Sequence, residues 1–144
     1  LTSTQNPPVE AWLTMEKGAA KRFCGKPGES LNSLLLKPFF DLEVVWHFCR
    51  EDFHPAPRVD TVLLHIAKKP VPDLPLSVRP QYTEFLTRSI QCGIIKPQGI
   101  FTQKQIKTAL KLAGLPPIEP SGDILYIQWL CLFRSYMDFI YKKE

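Results

Sequence analysis

Apolar residues recur at two different spacings along this chain, and the change from one to the other divides it. Val9–Met15 (V-E-A-W-L-T-M) alternates as a strand does. Lys17–Cys24 is short and basic around Ala-Ala, which predicts a short helix, and Lys26-Pro27-Gly28 breaks it. Glu29–Phe40 has helical spacing, with Leu31, Leu34, Leu35 and Phe39 on one face. Asp41–Cys49 returns to alternation and puts Leu42, Val44, Trp46 and Phe48 on one side of a strand. Val59–Ala67 is almost continuously apolar and rich in β-branched residues, the pattern of a strand buried on both faces. Its short connection to the previous strand predicts an antiparallel pair. Leu1–Pro8 is polar, ends in Pro-Pro and reads as a loop.

Beyond Lys68–Pro80, a proline-rich stretch without periodicity, the pattern turns helical. Gln81–Cys92 carries Tyr82, Phe85, Leu86 and Ile90 at helical spacing. Thr102–Ala113 opens with Thr102 and Gln105 at capping-box spacing and stops at Gly114. Its Ile106, Leu110 and Ala113 form an apolar stripe, and Lys104, Lys107 and Lys111 a basic one. Asp123–Tyr141 is apolar on most sides and needs other helices around it. Two domains follow, residues 1–70 and 71–144: an α/β part and a small all-α part.

Composition narrows the class. With 44% apolar and 22% charged residues the chain is that of a folded, soluble protein. No apolar run is long enough to span a bilayer, and no signal peptide opens the chain. Leu1 stands where a methionine would begin a full protein, which fits an excerpt or a processed product. Cys24, Cys49, Cys92 and Cys131 are widely spaced, and three of them sit in apolar or amphipathic runs. Buried free thiols in a reducing compartment follow, hence a cytoplasmic location. His47, His54 and His65 form neither a metal site nor a triad with these cysteines. The net charge is +4 and tilts towards residues 71–144, which hold nine Lys and Arg against six Asp and Glu. That tilt is too small to establish nucleic-acid binding by itself.

Arg50–Asp60 (R-E-D-F-H-P-A-P-R-V-D) is the most specific stretch. Pro55 and Pro57 cannot donate to a strand ladder and fix their own φ, so the connection between two strands is stiff. Held there, Phe53 either stacks against a flat ligand such as a nucleobase or plugs the core beneath the turn.

Three stretches in order resemble the ribosomal RNA adenine N6-methyltransferases, the Erm-type members more than the KsgA-type. Met15–Phe23 (M-E-K-G-A-A-K-R-F) is similar to the family's strand-end segment. Phe53–Val59 (F-H-P-A-P-R-V) matches its F-x-P-x-P-x-V loop at every fixed position. Ile100–Gly114 resembles the Erm-type helix after an I-F-T turn. The resemblance implies the C-terminal part of a Rossmann-like class I methyltransferase sheet, followed by a helical RNA-binding domain. It also implies S-adenosylmethionine as cofactor, no metal, ribosomal RNA as partner, no membrane, and a monomer when complete. Phe53 would stack on the flipped-out adenine while Pro55 and Pro57 hold its loop. Lys21 and Arg22 would lie near the RNA backbone, and the Lys104, Lys107 and Lys111 stripe on the RNA side of its helix.

The chain also departs from that family. It has no glycine-rich cofactor loop opening a helix, no acidic ribose-binding residue after one, and no Asn-(Ile/Leu)-Pro-(Tyr/Phe) motif. Pro97-Gln98-Gly99 stands where Erm-type members are often more basic. Taken alone the chain is therefore expected neither to bind cofactor nor to transfer methyl groups, and no residue in it is expected to be catalytic. The Val9–Met15 strand would keep an unpaired edge. The expected whole is a 23S rRNA methyltransferase of the macrolide-resistance type. The alternatives are a KsgA-type small-subunit rRNA dimethyltransferase, a non-catalytic RNA-binding protein on the same scaffold, and an unrelated α/β module.

Overall fold

Alternating strands in the first half of the chain build a three-stranded sheet with its helices on one side. The computed structural model describes residues 8–94, 100–119 and 122–139. The expected loop ahead of Pro8, the Pro97-Gln98-Gly99 turn and the last helical run beyond residue 139 lie outside the described residues. Two compact units divide the chain, Leu1–Val78 and Arg79–Glu144.

The first unit runs β1 (Glu10–Glu16), α1 (Lys17–Phe23), α2 (Leu31–Leu36), β2 (Phe40–His47), a 3-10 turn at Arg50–Asp52, and β3 (Thr61–Lys68). β3 lies between β1 and β2 and is antiparallel to both. In register, Leu13 and Val44 flank Leu64, and Ala11 and Leu42 flank Ile66. Val62, Leu64 and Ile66 are buried on this face, and burying each such side chain is worth about 1.5–3 kcal/mol. Phe23 of α1 and Leu36 of α2 lie on the same side, where with Leu13, Met15 and Phe40 they line an apolar hollow of about 230 Å³ along β1.

The opposite face corrects the expectation that β3 is buried on both sides. Thr61, Leu63, His65 and Ala67 are only half-buried, because the helices of this unit pack on one side alone. Trp12 stacks on His65 there at 4.0 Å between ring centroids. Trp46 shares this open face, although alternation had placed it with Leu42 and Val44. Val44 pairs opposite Leu64 and Trp46 opposite Leu63, so a bulge between them shifts the phase of β2 by one residue. Trp46 is accordingly 60% exposed.

The helix expected over Glu29–Phe40 is also shorter than its periodicity suggested, spanning Leu31–Leu36. Ser30 starts α2 with a capping box: its hydroxyl accepts from the Ser33 amide at 3.1 Å, and the Ser33 hydroxyl accepts from the Ser30 amide at 2.8 Å. Glu29 therefore falls outside the helix, where it accepts from the Ser33 hydroxyl at 2.7 Å and pairs with Lys37. Pro38, which lacks an N–H donor, follows one residue after the C-cap Lys37. The thiols differ from expectation too. All four are free, but Cys49 and Cys92 are exposed and only Cys24 and Cys131 are partly buried.

The second unit consists of α3 (Arg79–Cys92), α4 (Gln103–Leu112) and α5 (Tyr126–Phe139). α3 buries Tyr82, Phe85, Leu86 and Ser89, an unbroken i, i+3, i+4, i+7 stripe. Ile90, expected in that stripe, is 48% exposed because the buried position one residue earlier belongs to Ser89. Thr102 caps α4 with Gln105 as its reciprocal partner. Gly114, at φ +68°, ends the helix in a conformation that side-chain-bearing residues avoid. Ile106 and Leu110 are buried, whereas Ala113 at the C-cap is exposed and drops out of the expected stripe. α5 supplies Trp129, Leu130, Leu132, Phe133 and Tyr136 to the core. Phe85 sits amid Phe101, Trp129, Phe133 and Tyr136, with ring centroids 5.3–6.4 Å away. Gln128, almost fully buried, accepts from the Leu125 amide and donates to the Pro116 carbonyl, which ties α5 to the proline turn before it.

Candidate nucleic-acid interface

The loop between β2 and β3 begins where strand pairing stops. The Phe48 amide donates to the Thr61 carbonyl at 3.0 Å, and the chain then leaves the sheet. Asp52 organises the exit: its carboxylate accepts from the Cys49 amide at 2.8 Å, which closes the 3-10 turn Arg50–Asp52. Phe53 follows in extended conformation, its amide donating to the Arg50 carbonyl at 3.3 Å. Its ring packs edge-on against Phe48, with centroids 5.2 Å apart. Phe53 is half-buried and lies outside the buried core of the unit. Pro55 is exposed and Pro57 half-buried. The His54 ring nitrogen Nδ1 contacts the Phe53 carbonyl at 2.8 Å.

A charged cluster closes the base of this loop. The Asp60 carbonyl accepts from the Lys17 amide at 2.8 Å, joining the loop to the junction of β1 and α1. The Asp60 carboxylate faces Lys17 Nζ and Arg50 Nη2, each at 3.9 Å. Sequence reasoning passed over Lys17, Arg50 and Asp60. The only available signal was that Arg50 and Asp60 bracket the loop with opposite charges.

Lys21 and Arg22 stand exposed in the last turn of α1, where cations suit the helix dipole, and Arg22 Nε donates to the Gly18 carbonyl at 3.3 Å. Lys104, Lys107 and Lys111 are exposed along α4, opposite its buried Ile106 and Leu110. Phe53, Pro55 and Pro57 thus share one loop of the first unit, Lys21 and Arg22 belong to the same unit, and the three lysines belong to the second. Burial raises the Cys24 thiol pKa, against a lowering pull from Lys26 and Lys37, and raises that of Cys131. Both thiols are therefore poor nucleophiles. Among the described residues no group of His, Cys, Asp and Glu is placed to hold a metal ion, and no helix is long and apolar enough to cross a membrane.

The chain is similar to known proteins in sequence and in fold. The rRNA adenine N-6-methyltransferase of Limosilactobacillus reuteri is 34% identical over 128 residues, covering 89% of this chain and 49% of that protein. Its counterpart in Bacillus anthracis is 28% identical over 134 residues, covering 89% and 46%. The chain spans about half the length of these curated relatives. In fold it is similar to the 23S rRNA methyltransferase ErmE, with a TM-score of 0.68 at 20% identity over 88% of this chain and 54% of that one. A dimethyladenosine transferase from Plasmodium falciparum superposes with a TM-score of 0.60 at 17% identity, over 90% and 57%. The family model for ribosomal RNA adenine dimethylase matches residues 1–107, and the chain belongs to that family.

Proposed function

We infer that the complete protein carrying this chain is a cytoplasmic, S-adenosylmethionine-dependent rRNA adenine N6-methyltransferase, monomeric, acting on 23S rRNA and conferring macrolide resistance. On this reading residues 1–70 are the C-terminal half of the methyltransferase domain and 71–144 the helical RNA-binding domain. The single observation that carries it is the half-buried Phe53, outside the core, held at the end of the sheet on a loop that matches F-x-P-x-P-x-V. An enzyme that modifies a base amino group must take the base out of its stack, and an aromatic face at the reaction site holds the extracted ring. Pro55 and Pro57 restrict the loop, and the Phe53 ring packs against Phe48. Lys21 and Arg22 on α1, with Lys104, Lys107 and Lys111 on α4, neutralise phosphates along the RNA.

The residues present do not fit the cofactor. β1 passes into α1 directly through Glu16 and Lys17, with no glycine-rich loop at the helix start to receive it. Methyl transfer therefore depends on residues outside this chain, and the chain alone is inactive. Support for how the two parts meet comes from β1, which pairs only with β3 among the described residues and leaves its outer edge free beside the apolar hollow.

The test has two arms. Calorimetric titration of S-adenosylmethionine into the isolated chain should give no heat of specific binding, and micromolar affinity would overturn the split of functions. The complete protein should transfer tritiated methyl groups from S-adenosylmethionine to 23S rRNA. Transfer to small-subunit rRNA alone would replace the resistance reading with ribosome maturation.

A further inference from the structure

We propose that Asp60 is a positioning residue that sets the orientation of the Phe53 loop, an inference that rests on the reading of Phe53 as the adenine-stacking ring. Three segments meet at Asp60. Its main-chain oxygen takes the Lys17 amide at 2.8 Å, which fixes the end of the loop to the first residue of α1. Its carboxylate turns back towards the start of the loop, with Oδ1 3.9 Å from Arg50 Nη2 and Oδ2 3.9 Å from Lys17 Nζ. Arg50 opens the 3-10 turn, and its own carbonyl receives the Phe53 amide. A continuous set of contacts therefore runs from the β1–α1 junction through Asp60 and Arg50 to the backbone of Phe53.

Charge gives this path its direction. Lys17 and Arg50 are both cations, and the carboxylate between them turns a repulsive pair into an attractive triad. Each contact is at ion-pair distance but beyond a hydrogen bond, and the side chains are 38–65% exposed. The triad is thus a weak, salt-sensitive tether rather than a foundation of the fold. Weak tethers matter where alignment decides the rate, because a displaced stacking ring slows reaction without weakening RNA binding.

The experiment uses Asp60→Asn in the complete enzyme, with Phe53→Ala and the double variant. Asp60→Asn should lower kcat by about 3- to 5-fold, with KM for RNA unchanged or reduced as the two cations are released to phosphate. Asp60→Glu should recover part of that loss, and the melting temperature should stay at the wild-type value. In the Phe53→Ala background, Asp60→Asn should have no further effect on kcat. Amide hydrogen exchange at Lys17 and Phe53 should quicken in Asp60→Asn without any methylation being measured. Unchanged exchange at both amides would overturn the tether. An undiminished effect of Asp60→Asn in the Phe53→Ala background would also overturn it, since Asp60 would then act by another route. Wild-type turnover in Phe53→Ala would instead sink the stacking reading and leave the exchange result to judge the tether separately.

Discussion

Replacing Phe53 with alanine in the complete enzyme removes a half-buried ring that packs against Phe48. Stacking of one base on an aromatic side chain is worth about 1–3 kcal/mol, which corresponds to a fall of roughly 5- to 150-fold in kcat/KM if the contact forms on the way to the transition state. Part of the change is structural, because the edge-on contact with Phe48 at 5.2 Å is lost as well, and such pairs contribute about 0.5–1.5 kcal/mol. Two further variants separate the contributions. Phe53→Leu keeps apolar bulk against Phe48 but has no π face, and Phe53→Tyr keeps both. Single-turnover methylation of an rRNA fragment should fall in the alanine and leucine variants and survive in the tyrosine variant. Filter binding of the same RNA should change less than about 3-fold, since phosphate contacts dominate affinity. Wild-type turnover in Phe53→Ala would return the ring to the role of a core plug. An equal loss of turnover and RNA affinity would make it a general binding residue.

Other positions give independent tests. Phe85→Ala empties the centre of the aromatic cluster in the second unit and should cost about 3–5 kcal/mol, read by urea unfolding through Trp129 fluorescence. A change below about 1 kcal/mol would contradict that packing. Changing Lys104, Lys107 and Lys111 to glutamine should reduce the slope of log affinity against log salt by about 2 to 3; an unaltered slope would make the stripe merely solvated. Burial raises the Cys24 and Cys131 thiol pKa values, so the folded chain keeps those protons to higher pH than the unfolded chain does. Their contribution to stability is then full below the ordinary thiol range and lost as pH climbs from there through the raised values of the folded state. Iodoacetamide at mildly alkaline pH should label Cys49 and Cys92 first, and equal rates at Cys24 would refute the assignment.

Local rules carried well where one signal decided the outcome. Thr102, Gln105 and Gly114 bound α4 as read, and the three strands lie close to the two alternating runs and the continuous apolar run that predict them. They failed where two elements compete or where tertiary context decides. Leu31, Leu34 and Phe39 suggest a longer helix than Ser30 and Pro38 allow, and capping chemistry overrode periodicity. The continuous apolar run of β3 misled for a different reason: which side of a sheet is covered depends on where helices pack, not on the strand's own residues. Of the candidate site, Phe53 and its prolines were visible as a motif. The tie from Lys17 through Asp60 to Arg50 spans residues far apart in sequence, so no local pattern announces it.

The bulge in β2 has a consequence for how the loop is aimed. A regular strand fixes the side of each residue by parity, so whatever emerges from its end inherits the phase of its beginning. Between Val44 and Trp46 that inheritance is cancelled, and everything downstream is addressed afresh. Straightening the bulge with Val45 kept in the ladder would send Trp46 to the helix side and His47 to the open side. The stacking loop would then start from an inverted pleat, although none of its own residues had changed. In this fold a single extra residue acts as a frame setting for the ring that follows it.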